Sequence, residues 1–447
     1  MAATFVLSAS PNTNAQTNNE GLANLQFNFL NPGARALGMG GAFVAMADDA
    51  TTSLANPAGL LNLTQPEAGI ELTSTRFENE IPWFGGTATA VLDTELHTLR
   101  EFSYAFNPRS FPTTLSDLSF ISFVFPIRPR EIVLSVFYDG QTRYEREFHT
   151  SGIPVLDRRD GGILDKFFPV RSNLAYQQRL FGISASTRLG DRISIGGTVA
   201  LAAFSIRSGT IRKPDSNDEI EQRLDGDDKR IGTTLGVTVR ATNRLRIGAV
   251  YARRPAFHLT FAPDVRDRPG QALFSGPVKL DIPDRLALGL SWRARERLSI
   301  NADLVRVMNS DLMRGYFNAF HHPDSPDPFR KIPDAGREFY EVRDGFELRA
   351  GMELVRIVHL RPLALRAGYW REPFHRMVRK EPDSSVVYDL AAPENWHYEP
   401  YTSRSFIESA HHATVGIGIA FASFSIDAGY DYSKPTRRLV LSGVYYF

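Results

Sequence analysis

The segment Leu439–Phe447 reads LVLSGVYYF. Side chains on an extended strand alternate between faces. Leu439, Leu441, Tyr445 and Phe447 therefore share one face, with Gly443 in their row, and Val440, Ser442, Val444 and Tyr446 take the other. An alternating strand that closes on an aromatic residue has the form of the last strand of an outer-membrane β-barrel. Such a strand must pair with the first, because lipid tolerates no open sheet edge.

Working upstream, the same period recurs. Phe424, Ile426, Ala428, Tyr430 and Tyr432 alternate with Ser425, Asp427, Gly429 and Asp431, and Phe346, Leu348, Ala350, Met352 and Leu354 with Glu347, Arg349, Gly351 and Glu353. Fourteen such segments are predicted, at 67–78, 117–127, 130–142, 173–189, 191–207, 229–241, 243–255, 276–294, 296–309, 344–357, 360–371, 410–421, 423–433 and 437–447. Short connectors (127–129, 190, 242, 295, 358–359, 422) alternate with long ones (79–116, 143–172, 208–228, 256–275, 310–343, 372–409), and only 434–436 breaks the order. Transmembrane barrels sort their connections this way, with short periplasmic turns and long extracellular loops. The expectation is an all-β, 14-stranded antiparallel transmembrane barrel over 67–447, placed in the bacterial outer membrane.

Composition agrees. Lys+Arg number 51 against 50 Asp+Glu, without the basic excess of a nucleic-acid binder. There is no Cys, which excludes disulfides, thiolate metal sites and a Cys nucleophile. No apolar run approaches the roughly 18–20 residues of a membrane helix. Alternation hides barrel strands from a window average, so a mean hydropathy of -0.23 with 11% aromatic residues fits.

The two faces then differ in meaning. Tyr138, Tyr251, Tyr369 and Tyr432 near outer strand ends, with Trp292 and Tyr445 near inner ends, are expected to form an aromatic girdle against outer-membrane lipid and lipopolysaccharide. Asn301, Asp303, Glu347, Arg349, Glu353, Arg366, Asp427 and Asp431 belong to the opposite rows. On the lipid face a charge costs up to about 2–4 kcal/mol at mid-depth, so these residues are expected to pair inside the lumen. Glycines in the same rows leave internal space or allow strand curvature.

Residues 16–66 do not alternate. Asn31–Leu63 reads NPGARALGMGGAFVAMADDATTSLANPAGLLNL. Asn31-Pro32 and Asn56-Pro57 can each start a helical turn, and Asp48 or Asp49 can cap another. The segment is expected as a hatch, or plug, folded into the lumen, where Arg35 can meet acids. Gly38-Met39-Gly40-Gly41 is no dinucleotide fingerprint, since Phe43 stands where the last glycine belongs and no strand–helix–strand unit surrounds it. Residues 1–15 read as the tail of a signal peptide that starts upstream, or alternatively as a polar N-terminus.

Gly38–Ala42, Ala47-Asp48-Asp49-Ala50 and Asn56-Pro57-Ala58 together resemble the hatch of the FadL/TodX family of outer-membrane channels for hydrophobic compounds. The similarity continues through Asp281-Ile282-Pro283-Asp284-Arg285, Phe346–Gly351 and Leu365–Tyr369. The resemblance implies a monomeric, hatch-plugged barrel without a cofactor, taking fatty acids or other hydrophobic small molecules passively and releasing them sideways into the membrane. It places Asn56, Pro57 and Ala58, with Asp48 and Asp49 nearby, against a kink in the third strand. Gly140 is the candidate for that bend, or else starts the loop. Phe317, Phe320, Phe257 and Phe261 are candidates for the ligand-capture groove, or for packing between loops. Gly33–Gly41 and Asn56–Leu60 also look like PorV-type barrels, adaptors in protein secretion, although Leu54-Ala55 replaces the aromatic those commonly carry there. No enzymatic set is apparent among the ten histidines. His321-His322 with Asp324 and Asp327 read as a solvated loop, and His411-His412 as interfacial.

Overall fold

The computed structural model describes residues 25, 27–83, 89–93, 98–103, 107–167, 169–212, 220–261, 276–314, 340–380 and 408–447. The stretch 1–15 lies outside them. Fourteen strands close into one antiparallel barrel. In chain order they are β1 Glu67–Phe77, β2 Thr113–Arg128, β3 Ile132–Thr150, β4 Val170–Leu189, β5 Ile193–Arg212, β6 Ile220–Arg240, β7 Leu245–Arg253, β8 Arg285–Arg295, β9 Leu298–Val307, β10 Gly345–Val358, β11 Arg361–Glu372, β12 Ala410–Ala420, β13 Phe424–Tyr432 and β14 Thr436–Tyr446. The closing strand behaves as its pattern requires: β14 pairs with β1 from Glu67 opposite Tyr446 to Phe77 opposite Thr436. The Phe447 amide then donates to the Pro66 carbonyl at 3.1 Å.

The rows sort by polarity. Ile70, Leu72, Phe181, Ile183, Leu288, Leu348, Ile417 and Leu441 are exposed on the outer face, with Tyr251, Tyr369, Tyr432, Trp292 and Tyr445. The eight polar and charged residues expected inside are all buried.

Two expectations are corrected. First, 143–150, 170–172, 208–212 and 220–228, expected within loops, are strand. These extensions need not bury one face in lipid, so polar residues occupy both faces and the alternation is lost. Second, 276–294 is not one strand. Gly276–Asp281 pairs with Ala256–Phe261 in a separate two-stranded sheet, and the barrel strand begins at Arg285. Pro283 lies between them and has no N–H to carry the ladder across.

Residues 27–63, the plug segment, pack against the inward rows of the wall through α1 (Ala34–Gly38), α2 (Thr52–Ala55) and a 3-10 turn at Pro57–Asn62. Their seat is a band of directly opposed glycines: Gly196–Gly236, Gly248–Gly289, Gly351–Gly368 and Gly416–Gly429. The plug runs along this band in order. Ala34 lies on Gly429, Gly38 on Gly416, Met39 and Gly40 on Gly351 and Gly368, Val44 and Ala45 on Gly248 and Gly289, and Asn56 to Ala58 on Gly236 and Gly196. At each contact a Cβ on the wall would meet the plug, so only glycine admits this approach.

Candidate functional site

Charge fixes the middle of the plug. Arg35 donates from Nε and Nη2 to the two Glu353 oxygens, both at 2.9 Å, and from Nη1 to Asp48 at 2.8 Å. Glu353 also receives Arg366 Nε at 2.7 Å, and Arg366 reaches Asp427 at 2.5 Å. Burial alone would lower the Arg35 pKa, but Glu353, Asp48 and Asp49 raise it well above the ordinary guanidinium value. Burial pushes the Asp49 carboxyl up, against Arg35 and the Thr51 hydroxyl, which pull it down. Neither Asp48 nor Asp49 caps α2, whose N-cap is Thr51 without a side-chain cap bond; Asp49 instead closes the turn before it, accepting from the Thr51 amide at 2.9 Å and hydroxyl at 2.5 Å. Asp303 accepts from the amides of Phe43 and Val44 at 2.8 and 3.0 Å.

Asn56 is fully buried. Its Oδ1 accepts from Ala58 N at 3.1 Å, capping the turn that Pro57 opens. Its Nδ2 donates to the Val44 carbonyl at 2.8 Å and to Thr238 Oγ1 at 3.2 Å. Asn31 caps nothing: its amide reaches the Gly41 carbonyl, and Gly33 precedes α1 at φ 100°.

The structure does not bring Asn56, Pro57 and Ala58 to Gly140. Followed across the ladder, Gly236 opposes Gly196, Gly196 opposes Ser186, and Ser186 opposes Val133. The motif therefore sits level with the start of β3, seven positions before Gly140. The plug meets β3 instead through Ser53 Oγ and Ser135 Oγ, 2.6 Å apart.

Gly140 does not start a loop, since β3 continues to Thr150. It does mark an irregularity. Asp139 opposes Leu180 and Thr142 opposes Gln178, so Gly140 and Gln141 bulge against the single residue Arg179. At the same height β3 parts from β2. Their pairing ends at Phe120 opposite Asp139, and the outer part of β2 pairs with β1 alone. Leu118 and Leu72, exposed on the outer face, oppose one another where this gap begins. A side-chain pair spans it, Arg143 Nη1 lying 2.6 Å from Asp117 Oδ2.

Inside the gap lies a packed apolar cluster. Phe27 packs against Tyr176 and Phe204 at centroid distances of 5.3 and 6.2 Å, Tyr144 stacks on Tyr176 at 5.5 Å, and Phe257 stacks on Phe204 at 4.9 Å. Phe120, Phe137, Leu174 and Leu180 join the same buried cluster. Phe257, on the loop strand Ala256–Phe261, is thus buried against this cluster rather than exposed. Phe261 ends the Ala256–Phe261 strand, and Phe317 and Phe320 lie outside the described residues, as do His321, His322, Asp324 and Asp327. Strand alternation splits the other histidine pair. His411 meets the outward Tyr369 hydroxyl at 2.6 Å, whereas His412 is buried between Asp431 (3.0 Å) and Glu372 (3.3 Å), its ring 3.7 Å from that of Trp370. Sequence reasoning missed Phe27, Tyr176, Phe204 and the Arg143–Asp117 pair. The inward row of β4 and β5 carries the signal for two of them, Tyr176 and Phe204.

By sequence the chain matches no family profile and no curated protein. By structure it is similar to a FadL homologue of Pseudomonas aeruginosa, with 15% identity and a TM-score of 0.65 over 95% of this chain and 100% of that one. It is also similar to the toluene transporter TbuX of Ralstonia pickettii (16% identity, TM-score 0.53, 94% and 99% covered) and to the monoaromatic hydrocarbon channel CymD (16%, 0.51, 94% and 99%). With its closed fourteen-stranded barrel and lipid-facing apolar belt, the chain therefore has the fold of the FadL-type channels of the bacterial outer membrane.

Proposed function

We propose that the protein is a channel for passive uptake of hydrophobic compounds, long-chain fatty acids among them, with sideways release into the outer membrane. The observation that carries this reading is a buried aromatic cluster directly behind the place where β2 and β3 part. A porin lumen is polar and water-filled. An apolar molecule gains roughly 25 cal/mol per Å² on leaving water for such apolar surroundings, and its way between β2 and β3 into lipid is crossed by the Arg143–Asp117 pair, which must part to let it through. No energy source is required. Phe27 packs among these rings, so cargo and the start of the plug compete for them.

Uptake of labelled long-chain fatty acid and of toluene, in cells lacking or expressing the gene, tests the reading. Asn56→Ala removes the amide that ties the 3-10 turn to β6, a loss of about 1–3 kcal/mol locally. Uptake is expected to fall about tenfold at equal surface level. Wild-type cells that take up neither compound would move the assignment to a protein-binding adaptor barrel.

The gap has its own test. The chain has no native Cys, so Asp117→Cys with Arg143→Cys offers a single site for a short bis-maleimide. Bridging is expected to reduce uptake to background, while single-Cys variants treated alike retain it. Full uptake through a bridged barrel would eliminate the lateral route.

A further inference from the structure

At the inner rim, on the side of the short turns, a cavity of about 280 Å³ opens between β4, β5, β6 and β7. Arg130, Arg188, Arg192, Arg240 and Arg246 line it, with Asp191 as the one carboxylate in the lining. We propose that this cavity is a periplasmic binding site for an oxyanion, the carboxylate or phosphate group of a small amphiphile.

The charge balance is the first argument. Within the lumen Arg35, Arg349 and Arg366 each pair with a carboxylate. Around this cavity, among the described residues, only Arg246 does, reaching Asp48 at 3.5 Å. The other four, exposed to solvent, line the same space with no carboxylate in ion-pair distance among the described residues. Charges gathered in a cleft add their fields there. Their mutual repulsion is relieved by an anion. Guanidinium is also the side chain whose planar fork matches carboxylate and phosphate in a bidentate fashion.

Shape is the second argument. Leu61, buried at the end of the plug, and Ile193, half-buried, give the cavity an apolar side. A headgroup can meet the arginines while the first methylenes of its chain lie against these two. Thr238 also lines the space, and its hydroxyl accepts the Asn56 amide. The site thus touches the same residue that anchors the Asn56 turn. It does not depend on the uptake reading.

The test uses the full chain in an uncharged detergent, titrated calorimetrically with hexyl phosphate, hexanoate and inorganic phosphate. Arg188→Gln, Arg192→Gln and Arg240→Gln are combined, since these exposed side chains hold neither plug nor strand. The triple variant is expected to weaken binding of hexyl phosphate and hexanoate by roughly tenfold or more. Asp191→Asn, which removes the opposing carboxylate, is expected to tighten it. Inorganic phosphate binding as well as hexyl phosphate would support the oxyanion site but overturn the amphiphile; its failure to bind supports both. Equal affinities in wild type, triple variant and Asp191→Asn would overturn the proposal. Because binding is read on purified protein and uptake in cells, either result can fail without the other.

Discussion

Glu353→Ala should free the plug while the barrel stays closed. The Glu353 carboxylate is buried and takes charged hydrogen bonds from both Arg35 and Arg366. Removing one partner of a buried ion pair typically costs about 3–5 kcal/mol, because the remaining charge keeps its desolvation penalty. Asp48 and Asp427 still serve the two arginines, so the lower end applies, about 3 kcal/mol, or roughly a hundredfold in the population of unseated plug. The wall is held by its own strand ladders and loses none of them. In planar bilayers the wild type is expected to be nearly non-conducting and Glu353→Ala to show porin-like steps. Slow migration of the unheated protein on a denaturing gel would report a barrel still closed. An unchanged conductance would show that this carboxylate does not hold the plug.

The second large effect is expected from Gly368→Val. A Cβ at Gly368 would land on backbone atoms of Met39 and Gly40, and Gly40 is already at φ 66°. Neither side can give by rotating a side chain, so the plug must lift. Overpacking of this kind costs about 1–3 kcal/mol and occasionally more. Gly197→Val is the matched control. Its nearest neighbour would be Leu235 Cδ2 at 3.7 Å, and valine is a better strand former than glycine. Refolding into detergent followed by urea titration should place the midpoint of Gly368→Val well below wild type and that of Gly197→Val at or above it. Equal midpoints for the two variants would refute the tight seat.

The barrel was legible because lipid imposes one rule on every strand. Rows such as Leu286, Leu288, Leu290 and Trp292 alternate without a break, and charges such as Asp303 and Arg349 had nowhere to go but inward. Where lipid ends, the rule ends. The outer part of β6, Ile220 to Asp228, carries charges on both faces and gave no strand signal. The fate of Arg35 was readable, since a lone cation in a small-residue segment must find acids. The glycine pairs were not, because alternation gives each glycine a face but no partner across the sheet. The aromatic cluster stayed hidden for the same reason: Phe27 lies in a segment without period, and its partners Tyr176 and Phe204 come from β4 and β5, far along the chain.

The start of the plug has a consequence for assembly. The Gly33 amide donates to Glu71 of β1, and the Ala34 amide donates to Ser442 of β14 at 3.1 Å. One dipeptide thus bridges the only junction in the wall that joins residues far apart in the chain. A barrel becomes a cylinder when its first and last strands meet, and that step brings together the most distant segments and bears the largest loop-closure entropy. Here an internal clasp holds both edges at once, so the chain need not form the cylinder first and fill it afterwards. The seated plug thus stabilises the closed seam, and the closed seam stabilises the seated plug.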